Sequence, residues 1–221
     1  VFVENIRRVA SRYRYFRDDA GRTVLYAKPY YTLDAGKLTL HGVPPPKQPI
    51  DENDLPEGAR SSIAKNARFP RLKRTFSALS KKRWFRAAVV DSGLKERLQR
   101  LSGYQPIPEY RNEQGPAWQT MRAILIEWIK SNAKPTMIIP IPMYQYVAGL
   151  SDPSYYQARL REAATTGGAR YFDPLPDLMR PTRDVRRGFY FEHDNHLTRE
   201  GHEAVARSLA PAIQDALGET R

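Results

Sequence analysis

Lys134-Pro135-Thr136-Met137-Ile138-Ile139-Pro140-Ile141-Pro142 is the stretch on which the fold turns. Its apolar character is continuous rather than alternating, as in a strand covered on both faces of a parallel sheet, and its prolines stand where the strand ends. Upstream, Trp118, Met121, Leu125, Ile126, Trp128 and Ile129 fall at helical spacing and predict a helix ending near Asn132. Downstream, Ser151-Asp152-Pro153 is a cap-and-proline start for a helix over Pro153 to Ala164. Gly167-Gly168 stops it, and Ala169 to Phe172 is a short strand ending at Asp173-Pro174. A last helix carries Val205, Leu209, Ile213 and Leu217 every four residues. Helix, strand, helix, strand, helix predicts an α/β protein, a three-layer α/β/α, doubly wound, flavodoxin-like parallel sheet.

The other half reads differently. Val1-Phe2-Val3 resembles the end of a buried strand, so the expectation is a sheet without its first strands and a chain with a segment upstream of Val1. Glu4 to Tyr15 predicts a short basic helix. Tyr26 to Leu33 and Lys37 to Leu40 predict two strands joined by a turn at Asp34-Ala35-Gly36. Gly42 to Pro56 holds five prolines and is a loop, and a second loop runs from Gly103 to Pro116. The whole chain is read as one domain, with 1–25 and 117–221 as core and 26–116 as a long basic insertion.

Composition narrows the function classes. A hydrophobic fraction of 41% with 11% aromatics in 221 residues suits a globular chain. With no cysteine, thiolate catalysis, disulfides and zinc–thiolate sites are excluded, while the compartment stays open. No apolar run approaches the length of a membrane span. Of the net +12, most lies between Glu57 and Arg100, where thirteen Lys and Arg face three acids. The plain reading is a solvated basic surface; the functional ones are an anionic polymer, an acidic membrane surface or nucleic acid. Phe69, Phe76, Trp84 and Phe85 interleave there in no nucleic-acid motif, so nucleic acid ranks last among partners.

The chemistry-bearing stretch is Asp194-Asn195-His196-Leu197-Thr198-Arg199-Glu200-Gly201-His202. In an extended backbone residues i and i+2 project to one side, so Asp194 is placed to orient His196 through Nδ1–H and leave Nε2 as a general base. Thr198 is the expected N-cap of the last helix, with Glu200 and Glu203 where the dipole favours negative charge. The plain alternative is a surface turn in which Asp caps and His is solvated. His202 reads as structural, His41 has no evident partner, and His193 either lines a pocket or faces solvent. Tyr144 and Tyr146 follow the central strand where ligands bind in such sheets, and either stack on a substrate or simply pack. No His, Asp or Glu spacing points to a metal, and no cofactor is expected.

These residues resemble the SGNH/GDSL hydrolase family. Asp194-x-His196 before Gly201-His202 and a terminal helix is similar to that family's last motif. Phe2-Val3-Glu4-Asn5 at a strand end is similar to its third, Gly-x-Asn, with Val3 in place of the usual Gly and Ile6 of the usual Asp. The resemblance covers the chain in order outside the insertion. It implies a serine ester hydrolase or acyl transferase with His196 as base, Asp194 as its orienter and Asn5 as an oxyanion donor. It also implies that the nucleophilic Ser, in a Gly-Asp-Ser motif, lies upstream, so that the chain as given is inactive. Ala87-Ala-Val-Val-Asp91-Ser92-Gly93 imitates that motif, but Val90 stands where it needs Gly. Expected substrates are small-molecule or glycan esters. A second reading keeps the fold without the chemistry, as a silent module binding an anionic glycan or membrane surface through 57–100. Oligomeric state and localisation are not legible.

Overall fold

The computed structural model describes residues 1–9, 11–59, 103–192 and 196–218. In chain order the elements are α1 (Asn5–Val9), β1 (Tyr13–Arg17), β2 (Thr23–Ala27), β3 (Tyr30–Asp34) and β4 (Lys37–His41). There follow α2 (Pro116–Ser131), β5 (Met137–Ile138), α3 (Tyr144–Val147), α4 (Ser154–Gly167), β6 (Arg170–Tyr171), α5 (Leu175–Met179), α6 (Arg183–Arg187) and α7 (Arg199–Gly218). The chain divides into two compact units, Val1–Val9 with Gln99–Arg221, and Ala10–Leu98.

The described residues of the smaller unit hold two hairpins. β1 pairs antiparallel with β2, from Tyr13 opposite Ala27 to Arg17 opposite Thr23. The helix expected over Glu4 to Tyr15 therefore stops at Val9 and gives way to a strand. Arg8 and Arg12 would repel at helical i,i+4 spacing, whereas Tyr13-Arg14-Tyr15-Phe16 suits a pleated surface. Phe16 packs edge-on against Tyr26 at 5.8 Å. β3 and β4 pair from Tyr30 opposite His41 to Asp34 opposite Lys37. Ala35 and Gly36 turn between them with φ of 48° and 80°, the left-handed pair that a two-residue hairpin demands. Tyr26 belongs to the first hairpin rather than to the strand expected through Leu33, because Pro29 has no N–H to continue a ladder. His41 has partners after all: Thr32 Oγ1 lies 2.9 Å from its Nε2, and the Tyr30 ring stacks on it. Ile50 donates to Leu25 and lays the proline-rich loop along β2.

The larger unit is mixed α/β around parallel strands. Met137 and Ile138 pair in parallel with Arg170 and Tyr171. On the other side Phe2 bridges Ile141 in parallel, with Ile141 donating to Val1 and Val3 donating back to Ile141. The stretch 136–141 is thus flanked by the N-terminal residues on one edge and β6 on the other. The helix expected up to Asn132 is α2, with Pro116 in its first turn and Asn132 as C-cap. α4 begins after Asp152, whose carboxylate accepts from both the amide and the hydroxyl of Ser154, and ends at Gly168 with φ of 84°. α2 and α4 pack closely enough that a Cβ on Gly167 would meet Ile129 at 2.8 Å. Arg122 and Glu162 join them by an ion pair of 2.7 Å.

The largest fully buried side chains of this core are aromatic. Tyr110, Tyr146 and Tyr156 are almost wholly buried beside Trp118, with Tyr146 and Tyr156 rings 4.9 Å apart. Tyr110 donates its hydroxyl to the Val3 carbonyl, 2.9 Å, and so ties residues 103–116 into the core. That segment had been expected in the insertion as a loop. Burial pushes the phenols of Tyr110, Tyr146, Tyr156, Tyr171 and Tyr190 above the ordinary tyrosine range, with the Asp173 carboxylate adding to the shift at Tyr156 and Tyr171. The stripe of α7 is only half covered: Val205 is buried, while Ile213 and Leu217 are 43% and 64% exposed.

Candidate active site

Residues 188–192 and 196–198 lie side by side as the arms of a hairpin before α7. Tyr190 and Leu197 bridge antiparallel, Phe191 donates to the His196 carbonyl, and Thr198 donates to the Phe189 carbonyl at 3.0 Å. Phe189, Tyr190 and Leu197 are buried, so these arms are fixed in the core, whereas Phe191 and His196 are exposed. The Tyr190 hydroxyl donates to the Pro142 carbonyl at 2.7 Å, a buried bond spanning 48 residues. It pins the hairpin to the carboxyl end of the central strand.

The start of α7 is specified locally. Thr198 Oγ1 accepts from the Gly201 amide, as an N-cap does, and donates to the Gly188 carbonyl at 2.6 Å. The Glu200 carboxyl is held below the usual range, first by its own backbone amide and then by the Thr198 hydroxyl. Gly201 has a specific reason to be glycine. A Cβ there would lie 2.1 Å from the Phe189 carbonyl oxygen, the same oxygen that accepts from Thr198.

Asn5 is the first residue of α1, half-buried, with its amide bonded to the Phe2 carbonyl at 2.9 Å. It stands three residues beyond Phe2, while Pro142 stands one beyond Ile141, the partner of Phe2. Asn5 and the hairpin that carries His196 are accordingly both placed at the carboxyl ends of neighbouring parallel strands. Tyr144 opens α3 at the same edge, half-buried, and its ring meets Tyr190 edge-on at 5.9 Å. Tyr146 is different: at 2% exposure its ring is packed against Tyr156 and is part of the core, so the substrate-stacking option for it gives way to packing. Asp194, His193 and Ser92 lie outside the described residues.

Two residues at this edge carry more structure than their sequence context suggested. Asp173, two residues after β6, accepts from the amide of Leu175, the first residue of α5, at 2.9 Å and also from Gln157 Nε2 at 2.8 Å. Tyr156 and Tyr171 hydroxyls reach the same carboxylate. An acid shortly after a strand and two residues before the first residue of a helix is the available signal. Arg186 Nη1 donates to the Val147 carbonyl and joins α6 to α3, a long-range contact that leaves no mark in local sequence. Among the described residues no group of three or more His, Asp or Glu could hold a metal ion, and no helix is long and apolar enough to cross a membrane. Compared with family models, curated proteins and solved structures, the chain matches none.

Proposed function

We propose that the larger unit is a doubly wound, three-layer sheet of flavodoxin type that serves as a serine ester hydrolase or acyl transferase of the SGNH/GDSL kind. One observation supports the reading above others. Asn5 and the His196 hairpin ride on the carboxyl ends of adjacent parallel strands, the edge at which open α/β sheets bind their ligands. In this reading a serine hydroxyl attacks the ester carbonyl and His196 Nε2 takes its proton. Asp194 holds the imidazole through Nδ1–H, and the Asn5 amide donates to the tetrahedral oxyanion. Collapse returns the proton from His196 to the departing alcohol. Loss of one oxyanion donor costs about 10²–10³ in turnover. In this reading the nucleophile is the serine of the Gly-Asp-Ser motif that the resemblance implies, and the substrate is a small-molecule or glycan ester.

Two measurements test this. With a short-chain aryl ester, the 221-residue chain is expected to turn over no faster than its His196→Ala variant; clear His196-dependent turnover would overturn the placement of the nucleophile. In proton NMR, a low-field Nδ1–H signal from His196 is expected to vanish in Asp194→Ala. A His196 ring indifferent to that substitution would overturn the base-and-orienter pairing.

A further inference from the structure

A cavity of about 450 Å³ opens where the link between α3 and α4 meets the loop before α2, a volume within the range of small-ligand sites. Gly149 to Asp152 form one wall with Tyr155 from the first turn of α4; Tyr104, Gln105 and Arg111 stand in the other. Neither Asn5, Tyr144 nor the His196 hairpin lines it. We propose that this cavity is a binding site for an uncharged pyranose sugar, independent of the ester chemistry above.

The wall pairs aromatic surface with fixed polar groups. Tyr104 and Tyr155 are 39% and 38% exposed, unlike the buried tyrosines a few residues away in Tyr110 and Tyr156. The Arg111 guanidinium lies 5.5 Å over the Tyr155 ring, and its Nη2 donates to the Gly103 carbonyl at 3.0 Å, so ring and fork hold each other in place. Gln105 Nε2 donates to the Asp152 carbonyl at 3.0 Å, and the Asp152 carboxylate is held by Ser154. The orientation of these groups is set before a ligand arrives, which lowers the ordering cost of binding.

The Ser151 hydroxyl is buried behind the wall, out of a ligand's reach, with no hydrogen-bond partner among the described residues, so the polar contacts the cavity offers come from Arg111, Gln105 and Asp152. An apolar ligand would strip water from Arg111 and Asp152 without replacement. A charged ligand meets one cation and one anion that offset each other. A pyranose presents an apolar C–H face to an aromatic ring and, around its rim, hydroxyls that both donate and accept, which is the complement of this wall.

The test is titration of the full chain with cellotriose, N-acetylchitotriose and trigalacturonate, followed by backbone and tyrosine-ring NMR shifts. Millimolar binding of at least one neutral trisaccharide is expected, with shifts at 103–105, 111 and 149–155. Tyr155→Ala should weaken it about tenfold, whereas Tyr155→Phe, which keeps the ring, should stay within about threefold. Ser151→Ala, which removes a hydroxyl the ligand does not reach, should leave binding within about threefold. No shift at these residues with either neutral sugar would overturn the proposal. So would unchanged affinity in Tyr155→Ala, or tighter binding of trigalacturonate than of the neutral sugars.

Discussion

Gly201→Ala is the sharpest probe of how the hairpin is held. In a helix, alanine without a clash is favoured over glycine by roughly 1 kcal/mol. At Gly201 the added carbon would sit 2.1 Å from the Phe189 oxygen and 3.0 Å from Leu197 Cδ2. Relief requires the Phe189 carbonyl to retreat by about 1 Å, to an ordinary carbon–oxygen contact distance. That retreat breaks its bond from Thr198, worth about 0.5–1.5 kcal/mol, and adds about 1–3 kcal/mol of overpacking. A net loss of about 0.5–3.5 kcal/mol follows, or a melting temperature lower by on the order of 1–14 °C. Thermal unfolding by circular dichroism reads the loss, and amide shifts read its location, expected to centre on residues 188–198. Gly218→Ala is the control, since nothing lies within 4 Å of its Cβ position and the exchange should be neutral or slightly stabilising. If Gly201→Ala melted at or above the parent temperature, the close seating of α7 on the hairpin would be refuted.

Three further outcomes are expected. Tyr190→Phe leaves the buried Pro142 carbonyl without its donor and should cost about 1–3 kcal/mol in urea unfolding while shifting the His196 resonances; a change below about 0.3 kcal/mol would speak against the pin. The Glu162 carboxyl is held below the ordinary glutamate range first by its hydrogen bonds from Arg122, so its contribution is present above the ordinary value and lost as pH falls through the depressed one. Because the pair is partly exposed, that contribution is about 0.5–1 kcal/mol, and Glu162→Gln should flatten the acid limb of stability by that amount between pH 5 and 3, as read by urea midpoints. Val205→Ala should cost about 1–3 kcal/mol and Ile213→Ser less than about 0.5 kcal/mol; equal losses in thermal melts would show that the far end of α7 is covered.

Much of the larger unit could be read from residue order, and the reasons differ by element. α2 was legible because its apolar period from Trp118 to Ile129 and its end near Asn132 agree, while Pro116, read as the close of the preceding loop, is in fact its first residue. The parallel strand was legible because Met137 to Ile141 is apolar without alternation, although only Met137 and Ile138 pair with β6 while Ile141 serves Phe2. Tyr110 was not, since a single tyrosine between prolines has no period, and its bond to Val3 closes 107 residues of chain. The stripe of α7 identifies one face of a helix but says nothing of what lies against it, hence Ile213 in solvent. At the candidate site the cap at Thr198 followed from residue type and spacing. The close approach that fixes Gly201 and the bond that fixes Tyr190 are tertiary, and neither Phe189 nor Pro142 announces its role locally.

Several of the largest side chains inside the larger unit carry a hydroxyl, and this sets a ceiling on the alkalinity it withstands. Tyr110, Tyr146, Tyr156, Tyr171 and Tyr190 are all kept from ionising in the native state, whereas an unravelled chain would release their protons near pH 10. Above that value each such ring draws the equilibrium toward the open form, by up to about 1.4 kcal/mol per pH unit. The share of phenolate absorbance that belongs to these five rings should therefore rise late and abruptly in an alkaline titration, in step with the loss of structure instead of ahead of it.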